Sequence, residues 1–303
     1  MVTLLLLLTS WLAPDLAASP RGYHFMEGVS HTTIPFQLYK NLIVIPAQLN
    51  DSLSVNLILD TGTRSLLLYG KRFANLPTLK QSPSIRVSGW GSGSTIEARM
   101  AYPNKLSIGE ITGHELSIAV VPTRKMFSDR PKIDGIIGYE LFVRFVVEIN
   151  YKTKQIHLYN RVTPSHTAGF STVALEVNRA RPQVMSTIRL KNKKEVSIKL
   201  LVDTGSSLGL TIFSRSREGY DTSAEKDVIG FGLAGSVHGY QLYIDNLRLG
   251  NVPVRRISTN LVQVTHHPDE AFEMAGSLGA EFLKDHIVIF DYPGSRMYLK
   301  QNT

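Results

Sequence analysis

The sequence predicts an all-β protein of two lobes related by internal duplication, and three observations predict it. One pattern occurs twice: Leu57-Ile58-Leu59-Asp60-Thr61-Gly62-Thr63 is matched by Leu200-Leu201-Val202-Asp203-Thr204-Gly205-Ser206, and such self-similarity marks duplicated structural units. Two further landmarks keep its spacing. Gly109 of Leu106-Ser107-Ile108-Gly109 lies 49 residues after Asp60, and Gly250 of Leu247-Arg248-Leu249-Gly250 lies 47 after Asp203; Gly138 of Asp134-Gly135-Ile136-Ile137-Gly138 and Gly279 of Gly276-Ser277-Leu278-Gly279 follow the same aspartates by 78 and 76. Finally, short apolar runs rich in β-branched residues alternate with turn clusters, which is strand texture rather than helix texture.

Taken in order, residues 41–49 and 53–59 read as two strands split by Asn50-Asp51-Ser52, and 184–190 pairs with 196–202 across 191–195. Each half thus opens with a hairpin that runs into Asp-Thr-Gly. After Gly138 and Gly279 the pattern predicts short helices over 139–145 and 280–286. Closing hairpins follow over 146–159, around Tyr151-Lys152-Thr153-Lys154, and over 287–299, around Pro293-Gly294-Ser295. Residues 160–172, with Pro164, Ser165 and Gly169, have linker composition. The domain reading is an amino-terminal lobe over 34–160 carrying Asp60, a linker over 161–172 and a carboxy-terminal lobe over 173–303 carrying Asp203, with 20–33 as a short leading segment.

Composition bounds the function. With 43% hydrophobic and 19% charged residues in 303, the chain can bury a sizeable core. The net charge is +8, yet its one dense basic cluster, residues 191–194, lies between two strands where a solvated turn is expected, so no nucleic-acid partner is expected. The absence of cysteine excludes disulfides, thiolate metal sites and a cysteine nucleophile. The mainly apolar stretch 4–13, followed by Ala17, Ala18 and Ser19, reads as part of a signal peptide over 1–19; the apolar stretch is shorter than the ~18 residues a spanning helix needs. The expectation is export to a bacterial periplasm or the exterior, with no stable membrane insertion after cleavage.

The chemistry rests on the two aspartates. A carboxylate at the end of a buried apolar strand is costly unless something compensates it. If the halves pack about a pseudo-twofold axis, Asp60 and Asp203 meet and share one proton. The ionised partner could then take a proton from water while the protonated one donates to a peptide carbonyl oxygen. That reaction needs no metal and no other cofactor.

The doubled apolar-apolar-Asp-Thr-Gly-Ser/Thr motif, each copy with a downstream apolar-apolar-Gly, resembles the pepsin and retropepsin clan of aspartic proteases. The stretch 34–46, leading through a hairpin into Asp60, is similar to the exported bacterial retropepsin-like branch, and the resemblance covers about residues 34–300. It implies a bilobal pepsin-like fold and an aspartic endopeptidase with Asp60 and Asp203 as catalytic residues. It further implies that Thr61 and Thr204 cross-bond the two loops, that Gly62 and Gly205 donate N–H groups to the aspartates, and that Thr63 and Ser206 bond the outer carboxylate oxygens. The glycine-rich stretches 88–94 and 229–235 are flap candidates, through Trp90-Gly91 and Phe231-Gly232. The expected substrate is an extended peptide or protein with apolar residues flanking the scissile bond. A monomer suffices, since both aspartates are in one chain.

Other features are read more plainly. Arg64, where the second half has Ser207, could perturb the dyad, but an outward, surface position is expected. Asp134 reads as a local turn ligand. His266-His267 lacks metal-ligand spacing, and Gly91-Ser92-Gly93-Ser94 lacks the strand-to-helix setting of a serine nucleophile. Two rival functions stay open: a peptide-binding module that has lost turnover, and a processing protease with one or few envelope targets.

Overall fold

The computed structural model describes residues 21–76, 79–87, 96–122, 132–214, 219–220, 225–232, 235–263 and 274–302. The two apolar hairpins form as the sequence predicts, as Leu42–Leu49 with Leu53–Leu59 and Arg181–Arg189 with Glu195–Asp203. Asn50 and Asp51 turn the first at φ of 49° and 58°, a left-handed pair that short polar side chains tolerate. In both hairpins alternate residues enter the core, with Leu57 and Leu59, and Leu200 and Val202, essentially inaccessible.

Each landmark strand explains its glycines. Gly135–Ile137 slots between Leu53–Leu59, to which it is parallel, and Leu66–Tyr69, to which it is antiparallel. Gly276–Gly279 slots in the same way between Glu195–Asp203 and Leu210–Ser214. The strand end passes so close to the aspartate loop that a Cβ on Gly138 would overlap the Asp60 carbonyl oxygen, and Ile137 accepts the Asp60 N–H at 2.8 Å. Gly109 and Gly250 both stand at positive φ, 54° and 56°, in the turns of the long hairpins Ile96–Ile108/Ile111–Val121 and Gly235–Leu249/Val252–Gln263.

The expected helices are single turns, Tyr139–Phe142 and Ala280–Leu283, shorter than the pattern suggested; the next strands begin after gaps of three and two residues, at Val146 and His286. In the first, burial pushes the Glu140 carboxyl up from near 4.5 to about 7. A raised carboxyl gives stability that is fully present below its unfolded value and is lost as pH rises through about 7. Glu140→Gln is therefore expected to raise the melting temperature at pH 8, by about 1–3 kcal/mol of stability, and to leave it unchanged at pH 4; calorimetry at the two pH values checks this.

The halves join through a third, six-stranded sheet that runs Ser171–Ala174, Arg296–Gln301, His286–Asp291, Val146–Asn150, Gln155–Tyr159, His31–Pro35. Three strands come from each half, and Val146–Asn150 meets His286–Asp291 at the centre. His31–Pro35, in the leading segment and the first residues of the amino-terminal lobe as read from sequence, is an edge of this sheet, and Gly22–Phe25 pairs with Ile111–Val121. Among the described residues no helix is long and apolar enough to cross a membrane.

Candidate active site

Both Asp-Thr-Gly turns end their strands at the boundary between the lobes, and the threonines lock them together. Thr61 Oγ1 donates to the Val202 carbonyl at 2.6 Å and accepts the Thr204 N–H at 3.0 Å. Thr204 Oγ1 does the mirror image, donating to the Leu59 carbonyl at 2.8 Å and accepting the Thr61 N–H at 3.0 Å. Both threonines are 0% exposed, so each bond forms in a dry setting where an unmade partner is costly. Thr204→Val would strand the Leu59 carbonyl and the Thr61 N–H. It is expected to cost about 2–4 kcal/mol, visible as a lower denaturant midpoint.

With the turns locked, the aspartates face each other and hydrogen-bond directly. Gly62 N–H donates to Asp60 Oδ1 at 2.7 Å and Gly205 N–H to Asp203 Oδ1 at 3.0 Å. Burial raises both carboxyls above the usual range, and the Asp203 charge raises Asp60 further; the glycine N–H groups and the Arg181 guanidinium pull the other way. Two carboxyls so placed hold one proton between them, and that proton belongs to the pair.

Positions 63 and 206 act through their backbones. Thr63 turns its γ-methyl toward the space a Gly138 Cβ would take, while its carbonyl accepts the Tyr139 N–H at 3.1 Å. The Ser206 carbonyl accepts the Ala280 N–H at 2.7 Å, and it is the Ser206 backbone N–H that reaches Asp203. Trp90 and Gly91 lie outside the described residues, as do Gly91-Ser92-Gly93-Ser94 and His266-His267. Phe231 and Gly232 close the strand Asp227–Gly232, paired with Ser236 and Gly235 near the tip of a hairpin.

Arg64 is exposed; the cation whose charge acts on both aspartates is Arg181. It follows a two-residue turn, Arg179 and Ala180 at φ of 46° and 66°. The register pairing Gln183 with Leu201, carried two residues on, sets Arg181 across from Asp203. Its counterpart in the first half is Leu42. The sequence repeat does not show this, because Arg181 precedes Asp203 by 22 residues and Leu42 precedes Asp60 by 18. Two tyrosines also escaped the sequence reading. Tyr69 and Tyr292 are buried, and their hydroxyls are raised by burial first and by the dyad charge second. Asp134, read as a local turn ligand, is buried and bonds beyond its own turn. Its Oδ1 pairs with Arg72 Nη2 at 2.7 Å and its Oδ2 accepts the Asn56 N–H at 3.1 Å, tying the landmark strand to the hairpin that bears Asp60.

Among the described residues no cluster of His, Asp or Glu could hold a metal ion. A cavity of about 510 Å³ lined by Leu38, Tyr151, Lys152, Lys284, Asp285 and Gln301 lies at the end of the six-stranded sheet.

Residues 45–141, the stretch holding the first Asp-Thr-Gly and its landmark strand, match the aspartyl protease family model. Among curated proteins none matches this chain. The crystal structure of the aspartic proteinase from Irpex lacteus superposes with a TM-score of 0.61 at 14% identity, over 90% of this chain and 98% of that one. The fold is therefore the all-β, bilobal pepsin-like fold, and the partial family match and this neighbour together support the pepsin-like clan.

Proposed function

We propose that this protein is an aspartic endopeptidase that hydrolyses peptide bonds between Asp60 and Asp203. The observation that carries the reading is the dyad itself, two carboxyls hydrogen-bonded across the lobe boundary and held there by the Thr61–Thr204 cross-bonds. In the reaction the ionised carboxylate takes a proton from water, and the water oxygen attacks the peptide carbonyl carbon. The protonated carboxyl donates to the carbonyl oxygen, giving a tetrahedral diol. Collapse returns a diol proton to the dyad, the amide nitrogen takes a proton, and the C–N bond breaks to leave an acid and an amine. Burial suits this cycle, because a raised pair keeps one proton available to donate at mildly acidic pH. Arg181, opposing that rise, keeps the other carboxyl able to accept.

The same reading makes the protein a monomer acting on extended peptides or proteins, exported if residues 1–19 serve as a signal. Profiling a diverse peptide pool by mass spectrometry from pH 3 to 8, with folded Asp60→Ala and Asp203→Ala proteins alongside, tests it. Cleavage lost in both variants supports one site shared by the lobes. Cleavage kept in either variant overturns the proposal, and peptide binding without any cleavage would identify a binding module on the same fold.

A further inference from the structure

The two walls that flank the dyad are built on one strand plan and carry different chemistry. In the amino-terminal lobe, directly paired residues run across six strands as Val44, Ile58, Ile136, Leu67, Ala119 and Met100. In the carboxy-terminal lobe the same path through the equivalent strands runs Gln183, Leu201, Ser277, Thr211, Asn260 and Gln241. Directly paired residues share a face of a sheet, and residues two apart on a strand share it too. Ile58 stands two before Asp60 and Leu201 two before Asp203, so both rows lie on the face that bears the dyad. The main core takes the opposite parity, Leu57 and Leu59, Leu200 and Val202.

The first row packs into an apolar cluster with Leu42, Tyr69 and Ile133. In the second, five of the six positions are polar; Leu201 packs against Met274, and two residues along the strands Phe213 pairs with Val262 on the same face. Gln183 is 0% exposed, and neither its Nε2 nor its Oε1 has a hydrogen-bond partner; Asn260 is 3% exposed with its Oδ1 unpaired. A buried amide left unpaired is costly, and nothing in the backbone demands it, since the first lobe places Val44 at the same point of the same hairpin. A polar group kept at such a cost on the wall of a cleft is accounted for by a ligand that pairs it.

Gln183 offers one donor pair and one acceptor, and shut off from water it can be satisfied only by a group that enters the wall, both accepting and donating. A carboxamide does both; a carboxylate only accepts, and it would add a third negative group beside the dyad. Strands stand about 4.8 Å apart, which puts Gln183 one strand from Leu201 and diagonal to Asp203, beside the bond to be cut. Asn260, about 19 Å along the row by the same spacing, continues the polar wall away from it. We propose that the cleft is chemically two-sided, taking an apolar side chain against the amino-terminal wall on one side of the scissile bond and a carboxamide side chain, Gln or Asn, against Gln183 on the other. This rests on the hydrolytic reading above and departs from the expectation of apolar residues on both sides.

The test uses peptides that carry Gln, Asn, Glu, Leu or Ala at each position flanking the cleaved bond, with the full chain as enzyme. Gln or Asn is expected to exceed Leu by at least about tenfold in kcat/KM at one flank, since a site built for hydrogen bonding rejects a partner lacking it, while an apolar residue is preferred at the other. Gln183→Val, which installs the residue of the first lobe, and Gln183→Met, which keeps the length, are both expected to reverse the first preference to Leu and to leave the second intact. Apolar preference at both flanks in the unaltered protein, or an unchanged carboxamide preference in the Gln183 variants, overturns the assignment. A preference for Glu over Gln also overturns it and moves recognition to Arg181. Retention of the same peptides by Asp60→Asn protein separates this failure from failure of the hydrolytic reading. Carboxamide peptides retained but never cut by the unaltered protein sink hydrolysis alone, whereas peptides cut without the enrichment sink the two-sided wall alone.

Discussion

Asp60→Asn and Asp203→Asn proteins are each expected to fold, to bind peptide with nearly unchanged KM and to cleave it at least roughly 10³-fold more slowly, the range of a lost acid–base pair. Losing either partner removes the shared proton, so the double variant is expected to be no slower than the singles, a non-additivity that single-turnover kinetics would expose. Stability moves the other way. Burial raises both carboxyls in the folded chain, so the stability they contribute is present below their unfolded value, near 3.9, and is lost as pH rises through the raised values. Each Asn variant should therefore melt at a higher temperature than the parent at pH 7, with the gap closing toward pH 4. A variant that is inactive and also less stable at pH 7 would point to a structural role for the carboxyl instead.

Gly205→Ala is expected to abolish cleavage, while Gly62→Ala should leave a measurable fraction of it. The repeat treats the two glycines as equivalent, but their surroundings differ. A Cβ on Gly205 would overlap Asp60 Cγ and both of its carboxylate oxygens, so Asp60 must leave its place. A Cβ on Gly62 would stand 3.1 Å from one oxygen of each aspartate, tight but open to a shift of a few tenths of an ångström. Displacing a reacting group by about 1 Å costs on the order of 10²-fold in rate. A Gly205→Ala protein is thus expected to lose at least that much in kcat, and a Gly62→Ala protein roughly tenfold or less, at matched melting temperatures. Equal losses in the two variants would show that the dyad relaxes symmetrically about its axis.

Much of the fold was legible because the relevant signals are local and periodic. Period-two burial gave the hairpins around Asn50 and around residues 191–194, and glycines forced by close backbone approach, such as Gly138 and Gly279, gave landmarks whose spacing survives in both halves. Helix length was overestimated after both landmarks, because the pattern shows where a turn of helix starts but not how soon a neighbouring sheet claims the chain. The hydroxyls at 63 and 206 were assigned by likeness to other proteins; here the Ser206 backbone N–H reaches Asp203, while the Thr63 backbone bonds the main chain of Asp60 and Tyr139.

By itself the sequence determined a duplicated all-β chain, two Asp-Thr-Gly turns on buried strands and the chemistry those turns allow, since each follows from residues close together in the chain. Only the tertiary structure decided which cation stands by the dyad, Arg181 rather than Arg64, and that one wall of the cleft is apolar while the other carries Gln183 and Asn260. It also decided that Gly205 and Gly62 are not equivalent. These properties depend on strand register and on pairings between residues far apart in the chain. A four-residue difference in hairpin length moves a side chain from one neighbour to another without altering any local pattern.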